Sequence, residues 1–200
     1  MNERLTILDL DGTCYPRDCE LTRIIDARTT EFLLRRTGLA PAELARMEER
    51  TPSILEALDQ LDIPRRQWAD AVYRAVPYQQ LLQPDPELTH ALSCMAAKRV
   101  VVTMAPQQHA VTVLEALGLT TTIDHTISVF ETNYTDKQDI YRALIEKGSP
   151  SQTTVFGDNV ALDLDPAAAL GCGCVHIAPQ RRAGPYPVYQ DLLQALSARS

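Results

Sequence analysis

No stretch of the sequence approaches the roughly 18 consecutive apolar residues of a membrane-spanning helix, and no apolar leader of the secretory kind stands at its N-terminus. The chain is therefore expected to be cytoplasmic, with no membrane partner. A basic face is missing too. The net charge is -7, with Lys and Arg interspersed among Asp and Glu, so nucleic acid is not an expected partner. The five cysteines (Cys14, Cys19, Cys94, Cys172, Cys174) lack regular spacing, and free thiols are expected instead of a disulfide framework. Cys172 and Cys174 have no second Cys or His pair at matching distance, so a packed strand start is a better reading there than half of a metal site. Repeats and low-complexity tracts are likewise absent.

What remains is a chain of 200 residues, 45% apolar and 22% charged, enough for one domain or a core with a smaller insertion. Short apolar runs alternate with helical patterns, which argues for a parallel sheet with crossover helices. Strands are expected over Arg4 to Leu10, Arg99 to Thr103, Thr126 to Phe130, Thr153 to Gly157 and Cys174 to Ile177. Helices are expected over Gln107 to Leu117, Lys137 to Lys147 and Leu164 to Leu170, each closed by a glycine (Gly118, Gly148, Gly171), with a last one over Val188 to Ala198. The stretch 17–85 offers helices alone. Ile24, Ile25, Phe32, Leu33 and Leu34 recur at helical spacing, Thr51-Pro52 reads as an N-cap with Pro at N1, and Pro64 opens an amphipathic segment with Trp68, Val72 and Tyr73. It reads as a helical insertion after the first strand.

In an open parallel sheet, ligands bind beyond the carboxyl ends of the strands. The polar residues at those ends are Asp9 and Asp11 after the first, Thr103 after the second and Asp158 after a later one; Lys137 opens an intervening helix. Two neighbouring carboxylates need a cation, a proton or several hydrogen-bond donors to offset their repulsion. Asp9, Asp11 and Asp158 are hard oxygen ligands suited to Mg²⁺, which keeps several waters and also binds a phosphate. The metal and Lys137 would neutralise a phosphoryl group under attack by a carboxylate, Thr103 would donate to a phosphate oxygen, and the second acid would lie near the leaving oxygen. Gly12 would let the backbone approach the phosphate. His109 reads as a packing or surface histidine, and His90, His125 and His176 as structural. Tyr15, Tyr78 and Tyr134 are candidates for stacking on a base or lining a cleft. The Arg181-Arg182 pair reads as solvated surface.

"DLDGT" (Asp9 to Thr13), "VVTMAP" with Thr103, Lys137, and "GDNVALD" with Asp158 and Asp163 resemble, in order, the four signature motifs of the haloacid dehalogenase-like (HAD) hydrolase superfamily. The resemblance covers nearly the whole chain. It implies an α/β fold, a doubly wound, Rossmann-like parallel-sheet core (1–16 and 86–200) with an inserted all-helical cap of C1 type (17–85). It also implies that Asp9 is the nucleophile and a Mg²⁺ ligand, and that Asp11 is the general acid/base and a ligand through its carbonyl. Thr103 and Lys137 would serve the phosphoryl group, with Gly12 and the Met104 backbone beside it. Asp158 would bind Mg²⁺; Asp163 would support the metal or cap the following helix. The dehalogenase branch lacks an acid at the position of Asp11, so phosphoryl transfer is favoured, to water in a phosphatase or within a sugar phosphate in a mutase. A non-catalytic phosphate-binding module is a further alternative.

"DGTCYP", "LLQPDPEL" and "TMAPQQHAVTVLEALGL" are similar to the pyrimidine 5′-nucleotidase branch, where the text reads "DLDNTLYP", "LLKPDPEL" and "TNAPKEHALRVLEALGL". This narrower resemblance implies a nucleoside 5′-monophosphate as the small phosphorylated partner. The chain departs from it at Gly12 and Met104, where the branch has Asn, and at Gln138, where Pro is usual.

Overall fold

The computed structural model describes residues 4–51, 53–146, 149–180 and 183–199. Pro52, Lys147, Gly148, Arg181 and Arg182, named above, lie outside the described residues. Six parallel strands, β1 (Leu5–Leu8), β2 (Lys98–Thr103), β3 (His125–Ser128), β4 (Thr153–Gly157), β5 (Gly173–Ile177) and β6 (Val188–Tyr189), form one sheet in the order β3-β2-β1-β4-β5-β6. The chain moves outward from β1 through β2 to β3, then returns to the far side of β1 for β4. The central strand therefore lies at the switch point of a doubly wound sheet.

Side chains on a strand alternate between faces, and the core divides accordingly. Leu8, Val101, Phe156 and Val175 pack with α6 (Pro86–Ser93), α7 (Gln107–Ala116) and α10 (Leu192–Ser197). Ile7, Val100, Val102, Val155 and Cys174 turn the other way, toward α8 (Gln138–Ile145) and α9 (Asp165–Ala169). Ile7 and Leu8 are both fully buried, each worth about 1.5–3 kcal/mol in apolar burial.

Among the described residues, 17–85 holds helices and no strand: α1 (Glu20–Thr37), α2 (Pro41–Glu48), α3 (Ile54–Gln60), α4 (Arg65–Tyr73) and α5 (Tyr78–Leu81). The Ser53 hydroxyl caps α3 by accepting from Glu56 N–H at 3.2 Å, a role the sequence reading gave to Thr51. Pro64 precedes α4, whose Trp68 and Val72 are buried. Trp68 packs near Phe130, ring centroids 6.1 Å apart, and Arg65 donates to the carbonyls of Thr132 and Tyr134, both at 3.0 Å. These contacts seat the helical layer over the sheet's carboxyl edge.

One of the helix expectations needs correction. The last helix does not begin at Val188, because Val188 and Tyr189 pair with β5 as an edge strand. The helix starts only after Asp191, whose carboxylate accepts from Gln194 N–H at 2.7 Å. The helix expected over Leu164 to Leu170 is present as α9, and the segment 160–164 leads into it. That segment is a single π-helical turn, started by Asn159, which accepts from the N–H groups of Ala161 and Leu162.

Candidate active site

β1 ends at Leu8, and Asp9 N–H donates to Phe156 O of the neighbouring β4 at 2.9 Å. That bond fixes Asp9 at the switch point, where its side chain is buried. Asp9 Oδ1 lies 2.5 Å from Lys137 Nζ, and Oδ2 accepts from the Thr13 hydroxyl at 3.2 Å. Lys137, at the N-cap of α8, reaches in from an otherwise apolar layer with only 1% of its side chain exposed. Its ammonium also meets Asp163 Oδ1 at 2.7 Å. Asp163 in turn accepts from Asn159 N–H through Oδ2 at 3.0 Å, so it braces the turn before it and does not cap the helix after it.

Asp158 follows β4 on the cavity side. A Cβ on Gly12, whose φ is +93°, would fall 2.2 Å from Asp158 Oδ2. Only glycine supplies both that backbone and that clearance. Gly157 is similarly confined, since a Cβ there would meet Asp163 Cβ at 2.4 Å. His176 Nε2 donates to the Asp158 carbonyl oxygen at 3.0 Å, which holds the backbone of this acid in place.

The charges do not balance within this group. Burial raises the carboxyl of Asp9 well above the ordinary range; Lys137 opposes that shift while Asp163, Asp158 and Asp11 add to it. Burial and the neighbouring Asp163 lift Asp158 to about 6. Burial works against the Lys137 ammonium, but Asp163 and Asp9 outweigh it and hold it charged. Carboxylate oxygens of Asp9, Asp158 and Asp163 lie within 4.8 Å of one another. Three carboxylates against the one Lys137 ammonium leave two negative charges uncompensated, and such a set of hard oxygen donors fits a small divalent cation.

Asp11 stands apart electrostatically. Burial would raise its carboxyl, but His109, Tyr15 and Arg17 together bring it down to about 2. Its Oδ1 accepts from both the Tyr15 hydroxyl and His109 Nε2, the latter at 2.8 Å. Its Oδ2 has a long contact, 3.4 Å, from the Thr103 hydroxyl. Thr103 closes β2 and accepts from Ala105 N–H at 3.0 Å.

Asp9, Asp11, Thr103, Met104, Lys137, Asp158 and Asp163 all line one cavity of about 290 Å³. Gly12 lies against Asp158 beside it. The opposite wall comes from the helical layer: Asp26 and Thr29 of α1, Ser53 and Ile54 at the start of α3, and Trp68 and Tyr73 of α4. Met104 also packs against the apolar cluster that contains Trp68 and Phe130. Of the three tyrosines singled out, Tyr15 lines the cavity and Tyr78 contacts His109, whereas Tyr134 is 46% exposed and stands apart. His109 is neither a surface residue nor simple packing. It is 2% exposed and hydrogen-bonded at both ring nitrogens.

A buried carboxylate beside a buried ammonium, a separate acid held ionised and a set of oxygen donors that could hold a cation are parts that hydrolytic chemistry can use. The haloacid dehalogenase-like hydrolase family model matches residues 4–171. The chain belongs to this family. A HAD phosphatase from Thermococcus onnurineus superposes with a TM-score of 0.65 at 18% identity, over 98% of this chain and 97% of that one. The magnesium-bound HAD protein YfnB from Bacillus subtilis gives 0.65 at 14% identity, over 99% of both chains. An L-2-haloacid dehalogenase from Xanthobacter autotrophicus gives 0.60 at 15%, over 98% of both. At these identities the likeness establishes a shared fold. A search of curated proteins found no match. Among the described residues no helix is long and apolar enough to cross a membrane.

Proposed function

We propose that this HAD hydrolase is a Mg²⁺-dependent phosphatase that cleaves small phosphomonoesters through an aspartyl-phosphate on Asp9, with nucleoside 5′-monophosphates as its substrate class. The observation that carries the reading is the pair of acids in unlike settings, Asp9 against Lys137 at 2.5 Å and Asp11 held apart by His109 and Tyr15. Unlike environments for two carboxylates are what assign nucleophile and acid/base. A dehalogenase has no use for the second acid, although the Xanthobacter enzyme shares the fold. Residues 17–85 act as the cap, and 1–16 with 86–200 as the core.

Asp9, Asp158 and the carbonyl of Asp11 would hold Mg²⁺, with Asp163 in support through Lys137 and Asn159. When bound, the ion supplies charge neutralisation at the phosphoryl oxygens. Lys137 opposes the upward shift of the Asp9 carboxyl and aligns its Oδ1. Thr103 and the backbone at Gly12 and Met104 face the transferred group. A phosphate dianion entering the cavity brings negative charge beside Asp11 and raises its proton affinity, so the acid form arises as substrate binds. As the Asp9–phosphorus bond forms and the ester P–O bond breaks, Asp11 passes its proton to the leaving oxygen. It then takes a proton from the water that hydrolyses the aspartyl-phosphate. The nucleotide reading draws support from the similarity of "LLQPDPEL" and the segment from Thr103 to Leu119 to the pyrimidine nucleotidase branch, and from the Trp68 and Tyr73 faces in the cavity wall.

Phosphate release from UMP, CMP, sugar phosphates and other small phosphomonoesters, with Mg²⁺ and an Asp9→Asn control, tests this. Release that favours UMP or CMP and vanishes in the control is the expected result. Release from other esters alone removes the nucleotide assignment, and release from none removes the phosphatase.

A further inference from the structure

The two oxygens of Asp11 have different surroundings. Oδ1 takes both strong donors, the Tyr15 hydroxyl and His109 Nε2 at 2.8 Å, while among the described residues Oδ2 has only the 3.4 Å contact from Thr103. A carboxylate can only accept, so Nε2 must carry the proton in this contact. The other ring nitrogen, Nδ1, lies 2.9 Å from Tyr78 Oη, which can donate or accept as the ring requires. Tyr73 stacks on the same imidazole at 4.8 Å between centroids and Tyr78 at 5.4 Å, both rings tilted. The imidazole has 1% of its area exposed and the Asp11 side chain 23%, so the histidine link is shielded from water while the acid opens on the cavity.

The ends of that chain belong to different layers. His109 sits on α7 beneath the sheet edge, Tyr78 opens α5, and Tyr73 closes α4. The helical layer therefore holds the histidine, and the histidine holds the acid.

We propose that Tyr78 and His109 are positioning residues that lock Asp11 by its Oδ1, leaving Oδ2 as the oxygen that exchanges the proton with the leaving group. Helices α4 and α5 then set the orientation of the acid only when they are seated as here. The inference rests on the acid/base role given to Asp11 above. Its chemistry is specific: as the ester P–O bond breaks and the Asp9–phosphorus bond forms, the proton on Oδ2 goes to the ester oxygen. An alkoxide needs that proton, whereas p-nitrophenolate is stable without it.

The test compares kcat/KM, which covers the steps through ester cleavage, for UMP or another alkyl monophosphate and for p-nitrophenyl phosphate, in the intact chain with Mg²⁺. Tyr78→Phe and His109→Ala are expected to lose about 10- to 100-fold on the alkyl ester, within the range a general acid commands. They should lose less than about threefold on the aryl ester. His109→Gln, which retains an N–H donor, should recover part of the alkyl loss. Asp11→Asn sets the benchmark and must show the same leaving-group pattern. Equal losses on both esters in the Tyr78 and His109 variants, with the Asp11 pattern intact, would overturn the relay alone. No leaving-group pattern in Asp11→Asn would overturn the acid role, and the relay with it. If His109→Ala does not fold, Tyr78→Phe decides, since it removes one hydroxyl and keeps the ring.

Discussion

Lys137 Nζ lies 2.5 Å from Asp9 Oδ1, and neither side chain is more than 8% exposed. Removing the ammonium leaves Asp9 and Asp163 facing each other in a space with little water. Lys137→Met should lower phosphate release at least about 100-fold through lost charge stabilisation. It should also cost about 3 kcal/mol in urea unfolding, the scale for breaking a buried ion pair. Retained activity with full stability would mean that the pair has no catalytic part.

The pH dependence of stability has a definite sign without metal. Burial and Asp163 raise Asp158 from an ordinary 3.8 to about 6, and Asp9 is displaced the same way. An acid with a raised folded pKa binds its proton more tightly folded than unfolded. Its stabilising contribution is full below 3.8 and is lost as pH rises through about 6. In EDTA the melting temperature should fall across that window, less so in Asp158→Asn, and Mg²⁺ should recover more of it near neutrality than in acid. An EDTA profile for the wild type no steeper than that of Asp158→Asn would contradict the assignment.

Gly12→Ala meets two obstacles at once, a backbone at φ +93° and an Asp158 oxygen 2.2 Å from the new methyl. Backbone strain alone costs about 1–3 kcal/mol, and Asp158 must turn away to make room. Calorimetric titration should show weaker Mg²⁺ binding in this variant. Unchanged affinity would place Asp158 outside the metal site.

Beneath the site, the Tyr141 hydroxyl is buried with no hydrogen-bond partner among the described residues. An unsatisfied buried hydroxyl costs about 1–3 kcal/mol. Tyr141→Phe should therefore raise unfolding stability by about 1 kcal/mol; a loss of stability would show that the hydroxyl is satisfied in solution.

The sheet was legible because its strands are buried runs such as Arg99 to Thr103, separated by helices that stop close to Gly118 and Gly171. The residues closing those strands, Asp9, Thr103 and Asp158, were legible as a group because topology sends strand ends to one edge. The histidine was not. His109 lies 98 residues from Asp11 and 31 from Tyr78, and a lone His on an amphipathic helix carries no local trace of such partners. The two-residue strand β6 was hidden for a related reason: its pairing with β5 comes from the edge of the sheet, while Val188 and Tyr189 merge by themselves into the apolar pattern of α10.

The covalent step on Asp9 is the centre of this account, and one measurement addresses it directly. The protein is mixed with Mg²⁺ and a phosphomonoester that it hydrolyses, quenched in acid during turnover, and digested for mass spectrometry. The expected result is one phosphoryl group on the peptide that contains Asp9, with none in Asp9→Asn. Phosphate release that continues in Asp9→Asn, with no acylphosphate on the wild-type peptide, would contradict it.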